Sequence, residues 1–309
     1  MMKKPTAYLA LMALLSIGCT NDEEAREVDV PNGQPAGTIV LTASMGNTDA
    51  TRGSLDVQTL SFDEGELINV ECTTTGTTTT SSAVYRTGAA DESNKNVLTP
   101  DGTALTWPAN SGTVSIHAYY PSTVTSSTTS FSVQADQSAA NNSTYKQSDL
   151  MYAEPIDGQA KTASVPLTFH HALSKIVVNI VGTGSLTADD LATCEVAVKA
   201  CRTATITNGV ATPVADAINA ADYDYITIGT GTTVAGIIVP QTIDGSTTAQ
   251  PLIRVKWNNS VLYLMLKTSK TFAERLKYTY TLSVGSAQEI SLIRSEITDW
   301  QTVDFVTSM

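Results

Sequence analysis

The sequence predicts an all-β fold of the β-sandwich type. Charged residues make up only 16% of the 309 residues and hydrophobic ones 42%, with Thr, Ser, Ala and Gly abundant. That mixture suits half-buried strands joined by polar turns rather than long charged helices. Short β-rich runs recur at close spacing, separated by turn clusters such as Thr99-Pro100-Asp101-Gly102 and Pro121-Ser122, the rhythm of a sandwich. In Lys277-Tyr278-Thr279-Tyr280-Thr281-Leu282-Ser283-Val284 the aromatic and aliphatic residues take even positions and the polar ones odd positions, so one face is buried and the other wet. A chain of this length is expected to form about two domains, each with its own core. The expected division is residues 37–170 and 171–309, with the boundary between 165 and 185.

Residues 1–19 read as an address. Lys3 and Lys4 precede an apolar run over residues 8–17, which is a secretory signal too short to span a bilayer. Leu15-Ser16-Ile17-Gly18-Cys19 resembles a lipobox, with Ser16 where Leu is more usual. Cys19 is therefore expected to carry the lipid and become the mature N-terminus, and the membrane is met only through that anchor. The acidic stretch after Cys19 resembles export signals of surface lipoproteins in Bacteroidetes-type bacteria, which implies the outer membrane and the cell surface. Residues 20–36, punctuated by Pro31-Asn32-Gly33 and Gln34-Pro35, read as a flexible tether.

The first strand is expected at Thr38-Ile39-Val40-Leu41-Thr42-Ala43, closed by Gly46-Asn47 and followed by an exposed loop over 48–53. Further strands are expected over 67–72, 113–120, 131–134, 165–169 and 175–181, then 195–200, 204–207, 226–228, 235–239, 252–257, 261–266, 278–284 and 290–293. Asn258-Asn259 between two apolar runs predicts a hairpin. Helix is hinted only over 186–193 and 269–276, with Ser185 and Ser269 as N-caps. The threonine-rich residues 73–82 read as a long hairpin tip or a threonine-lined strand, the tip being favoured.

A formal charge of −12 and a pI near 4.6 repel phosphate backbones, so nucleic acid is excluded as a partner. Beyond Cys19 the cysteines are Cys72, Cys194 and Cys201. If 194–201 is one strand, its ends lie ~23 Å apart, far beyond the bridging limit of about 7 Å. The three are expected to be small buried hydrophobes, and whether any disulfide forms stays open. His170 and His171 are adjacent, so in a strand they point to opposite faces, one of them into the seam between domains. With His117 far away in sequence, no metal or cofactor is expected.

No G-x-S-x-G elbow, P-loop or dinucleotide fingerprint is present, and no catalytic residue or enzymatic activity is expected. Asp189-Asp190 and Asp222/Asp224 are expected on solvated loops rather than as a glycosidase pair. Trp107, Trp257 and Trp300, with Tyr119 and Tyr120, would stack on sugar rings if exposed. They carry the alternative reading, a glycan-binding surface lipoprotein that does not polymerise, against the more common burial of strand aromatics.

Several segments together resemble the fimbrillin-like family of Bacteroidetes type V pili, in its minor-fimbrillin-like branch. They are Trp107-Pro108-Ala109 leading into Val114-Ser115-Ile116-His117-Ala118-Tyr119-Tyr120-Pro121, then Asp149-Leu150-Met151-Tyr152-Ala153 and Phe169-His170-His171-Ala172-Leu173-Ser174-Lys175-Ile176. Tyr278-Thr279-Tyr280-Thr281-Leu282 and Ile297-Thr298-Asp299-Trp300 complete the order. The resemblance implies two tandem transthyretin-like (Greek-key) β-sandwich domains in a structural or adhesive subunit of a cell-surface pilus. It also implies that an arginine-specific protease removes the first strand and that a neighbour's strand replaces it. Carried over, the removable strand is Thr38, Ile39, Val40, Leu41, Thr42 and Ala43, and the cut falls between Arg52 and Gly53. A C-terminal donor segment would use Val303, Phe305 and Val306. The implied partners are other pilus subunits, with a host or bacterial surface ligand or glycan as adhesion target. Because residues 301–309 make a short donor, a tip or anchor position is read at least as readily as a stalk.

Overall fold

Alternation of apolar and polar side chains sets the layers of this molecule. The computed structural model describes residues 37–46, 61–109, 112–138, 143–207, 209–214, 223–286 and 289–300. The first group of elements is β1 (Leu41–Met45), β2 (Leu67–Thr74), β3 (Thr80–Ala90), β4 (Asn96–Pro100), β5 (Val114–Tyr120), β6 (Ser130–Ser132), α1 (Ser143–Gln147), β7 (Met151–Ala153), β8 (Ile156–Gln159) and β9 (Val165–His171). Eight of these strands form one sheet in the order β2-β3-β4-β1-β9-β7-β5-β8, and β2 also pairs with β5, so the sheet closes on itself. β5 meets β2 along one edge, and β7 and then β8 along the other. Its interior holds Ile39, Leu41, Ile68, Val70, Tyr85, Ile116, Leu167 and Phe169. Closure leaves few unpaired edges to manage.

The second group is β10 (Ser174–Gly182), β11 (Glu195–Cys201), β12 (Thr203–Thr207), β13 (Val210–Pro213), β14 (Tyr223–Thr230), β15 (Thr233–Ile238), β16 (Gln241–Ile243), β17 (Gln250–Trp257), β18 (Ser260–Leu266), β19 (Lys270–Phe272), β20 (Leu276–Val284) and β21 (Ile290–Asp299). Two four-stranded sheets, β15-β10-β20-β21 and β14-β11-β17-β18, bury Ile176, Val178, Val196, Val198, Ile253, Val255, Tyr280 and Leu282. The alternation expected in β20 holds for its apolar face, with Tyr278, Tyr280, Leu282 and Val284 buried, but Lys277, expected on the wet face, is also buried. The expected hairpin also forms. Trp257 pairs with Ser260, and Asn258 and Asn259 take φ of 50° and 64°, the doubly left-handed turn that matches strand twist and that Asn tolerates.

Residues between β5 and β7 cross to the second group. Val124, Val133, Tyr145 and Leu150 lie in the second core, and β6 pairs with β12. The buried Gln137 amide acts as a strand edge for β15: its nitrogen donates to the Ile237 carbonyl at 2.8 Å and its oxygen accepts the Ile237 N–H at 2.7 Å. Residues Pro35–Met309 accordingly form a single compact unit.

The all-β expectation is met, but three local ones need correction. Residues 186–193 are turns rather than helix, stapled by Thr187 N–H and Oγ1 donating to Asp190 Oδ2 at 2.8 and 2.7 Å. Within 269–276 the chain forms β19, which pairs with β16. A stretch of two turns has too little helical stability of its own to resist such pairing. In the threonine-rich stretch β2 and β3 continue inward until Thr73 pairs with Thr80, whose hydroxyls meet at 2.7 Å, so the tip is shorter than expected. Conversely, nothing in the sequence reading anticipated α1. Among the described residues no helix is long and apolar enough to cross a membrane.

Candidate functional site

The first strand lies between β4 and β9. It runs antiparallel to β4, with Leu41 opposite Leu98 and Ala43 opposite Asn96, and parallel to β9 from Leu41 opposite Val165 to Met45 opposite Phe169. Period-two alternation sends Ile39, Leu41, Ala43 and Met45 into the core, each 5% exposed or less, while Val40, Thr42 and Ser44 are half-buried. The strand was expected at 38–43 and is found at Leu41–Met45. Residues before it pair with a loop instead: Thr38 bridges Thr106, Ile39 N–H donates to the Leu105 carbonyl and Trp107 N–H to the Gly37 carbonyl, both at 2.8 Å. At the far end Gly46 N–H donates to the Phe169 carbonyl at 2.8 Å, and a Cβ on Gly46 would collide with the His170 ring.

The chain resumes at a second anchor. Buried Asn96 of β4 accepts the Phe62 N–H at 3.1 Å and donates to the Phe62 carbonyl at 3.0 Å, and Phe62 packs edge-on against Phe169, ring centroids 5.1 Å apart. Gly46 and Phe62 are thus each fixed on the closed sheet. Arg52 and Gly53 lie between them, outside the described residues, as do Cys19, Val303, Phe305 and Val306.

A buried polar cluster joins the two cores. His171, at the end of β9, makes a 2.8 Å contact from Nδ1 to Asp149 Oδ1 and stacks on Trp300 with centroids 3.9 Å apart and planes within 3°. The Lys175 ammonium, on β10, lies 5.9 Å from the ring centroids of both Trp300 and Tyr145. Burial pushes the Tyr145 phenol well above its ordinary range. The Trp300 backbone N–H donates to the Arg275 carbonyl at 2.8 Å, and the Arg275 backbone N–H donates to the Leu173 carbonyl at 2.9 Å. Asp149, His171, Lys175 and Trp300 are all 3% exposed or less, so the cluster has no face for a substrate and serves as a seam. Each residue was visible in a sequence motif, but their meeting was not. Next door, His170 points the other way and pairs through Nε2 with Glu154 at 2.8 Å.

The remaining candidates disperse. His117 lies in register with Glu71 on the β2–β5 pair, and among the described residues no group of three or more His, Cys, Asp or Glu side chains is placed to hold a metal. Cys72, Cys194 and Cys201 are buried and free, and burial pushes the Cys194 thiol up to about 11, which keeps it protonated and inert. The Asp190 carboxylate caps a turn, and its hydrogen bonds from Thr187 hold it below the usual range. Asp224 Oδ1 accepts its neighbour's N–H at 2.6 Å, and Asp222 is outside the described residues. Trp107, Trp257, Trp300, Tyr119 and Tyr120 are all 8% exposed or less, the burial expected of strand aromatics, which leaves the alternative of sugar stacking without free faces. Trp257 even spends its indole N–H on the Asp190 carbonyl at 2.8 Å.

The Fimbrillin-like family model matches residues 48–300. This chain belongs to the fimbrillin-like family. The match ends at the seam tryptophan, Trp300, and takes in Asp149 and His171 with it. The fold is similar to that of a cell-adhesion candidate from Bacteroides uniformis, at TM-score 0.63 and 23% identity, covering 86% of this chain and all of the other. A second, from Bacteroides ovatus, is similar at TM-score 0.64 and 17% identity, covering 86% of this chain and 99% of the other. Among curated proteins none matches significantly.

Proposed function

We propose that this protein is a structural or adhesive subunit of a cell-surface pilus, exported as a lipoprotein through Cys19, from which the first strand is cut away so that a neighbour's strand can take its place. Membership of the fimbrillin-like family implies a pilus component and other pilus subunits as partners. The names of the two similar structures speak of cell adhesion, which agrees with a surface role and with a structural rather than enzymatic one.

The observation that carries the reading is the position of β1 in the closed sheet. Among the described residues its strand neighbours are β4 and β9, and the link to β2 contains Arg52 and Gly53. After a cut there, β1 is held by its ladders and by pockets for Ile39, Leu41, Ala43 and Met45, each large side chain contributing about 1.5–3 kcal/mol. Phe62 stays on Asn96, so the rest of the sheet keeps its place. An incoming strand with apolar residues at every second position re-forms both ladders and refills the pockets. Val303 and Phe305 have that spacing and supply the donor segment of this reading.

The test is the N-terminal peptide of protein taken from the cell surface, read by mass spectrometry. A chain beginning at Gly53 supports strand removal, and Arg52→Ala should abolish that species. A chain beginning at lipidated Cys19 in assembled pili overturns the exchange mechanism while leaving the pilus role standing.

A further inference from the structure

β21 ends the β15-β10-β20-β21 sheet, and among the described residues it pairs with β20 on one side only. It is exposed along most of its length, and Leu292, Ile293 and Ile297 are 46%, 58% and 50% exposed. Arg294 and Glu296 lie on one face of the strand, 3.8 Å apart and 68% and 49% exposed. Ile293 is the extra residue of a bulge where β21 steps from pairing Thr281 to pairing Leu282.

The order Ile293-Arg294-Ser295-Glu296-Ile297 is complementary to itself when reversed. Consider a second copy added antiparallel at the free edge by a two-fold axis normal to the sheet. Such an axis keeps each face on its own side, so only residues of the same face can oppose one another. With the axis through Ser295, Arg294 stands opposite Glu296 of the second copy, twice by symmetry. Moving the axis to Arg294 or to Glu296 sets like charges directly opposite, which is unfavourable. A bulge and charges on an edge strand ordinarily discourage pairing with arbitrary strands. Of these three registers, only the one centred on Ser295 sets opposite charges against each other.

We infer that β21 is a self-recognition edge through which two copies of this chain pair laterally, extending two four-stranded sheets into one. The ladder is short and its area is small against a standard interface, so the dimer is weak when free and gains strength where copies are crowded or tethered on one surface. It uses a different strand from β1, so the uncut chain suffices to test it.

Sedimentation of the chain from residue 20 onward, over a wide concentration range, should show a reversible dimer. Arg294→Glu alone and Glu296→Arg alone should each weaken it by roughly tenfold or more. An equimolar mixture of the two single variants should dimerise, because an acidic strand then faces a basic one, and the double exchange R294E/E296R should dimerise like the parent. Unchanged melting of each variant separates lost pairing from lost folding. A parent that stays monomeric throughout, a dimer indifferent to either single exchange, or a mixture that fails to associate overturns the inference.

Discussion

The two halves of the β-structure handle their edges in opposite ways. In the first, β2 meets β5 and the sheet closes, with β1 as a member held between β4 and β9. In the second, β14 and β15 connect the sheets along one side, while β18 and β21 end them on the other, close together in space. In the closed sheet β1 and the residues just before it send Ile39, Leu41, Ala43 and Met45 into the core, and β1 is paired on both sides. The open sandwich owes little to its last strand, whose side chains mostly face water. A surface needed for contact can therefore be carried by β21 with little risk to the fold, whereas β1 is tied to it.

Four measurements sharpen or break this contrast. The largest effect is expected at the seam. His171→Ala leaves the buried Asp149 carboxylate without its ring partner and removes the stack on Trp300, costing about 3–5 kcal/mol, measured by urea unfolding. A cost below 1 kcal/mol would mean that the two cores do not depend on the seam. Next comes Leu41→Ala in β1, expected to cost about 2–5 kcal/mol, against about 0.5 kcal/mol or less for Leu292→Ala in β21. Equal costs would erase the distinction between the two edges. Smaller again is His170→Ala: the partner Glu154 side chain is 64% exposed, so the expected loss is about 0.2–1 kcal/mol, and the adjacent histidines should differ several-fold.

The smallest effect is a pH dependence. Burial raises the Glu66 carboxyl above its ordinary 4.5, against the lowering influence of Lys146. Because the folded state holds this proton more tightly than the unfolded one, the contribution is present at low pH and is lost as pH rises from about 4.5 through the raised folded value. The stability of the parent relative to Glu66→Gln should therefore fall over that window. A flat difference would place the Glu66 carboxylate in a more solvated setting than its contacts with Lys146 and Tyr120 describe.

Much of this was readable in advance, for local reasons. The alternation in β20, the paired asparagines at Asn258 and Asn259 and the opposed His170 and His171 follow from strand periodicity and turn chemistry, which need no knowledge of partners. The failures are equally physical. Residues 269–276 resemble a short helix until β16 offers β19 a ladder, and Val124, Val133 and Tyr145 lie between two strands of the first sheet in sequence yet pack in the second core.

By itself, then, the amino-acid order determined the all-β class, most strand positions and the motifs of the fimbrillin-like family, since these depend on neighbours two to four residues away. Only the tertiary structure decided that β1 sits in a closed sheet, that Asp149, His171 and Trp300 stack into one seam, and that the tryptophans are buried while β21 is bare. Those outcomes depend on pairings between segments many residues apart, where burial and ladder hydrogen bonds outweigh local preference.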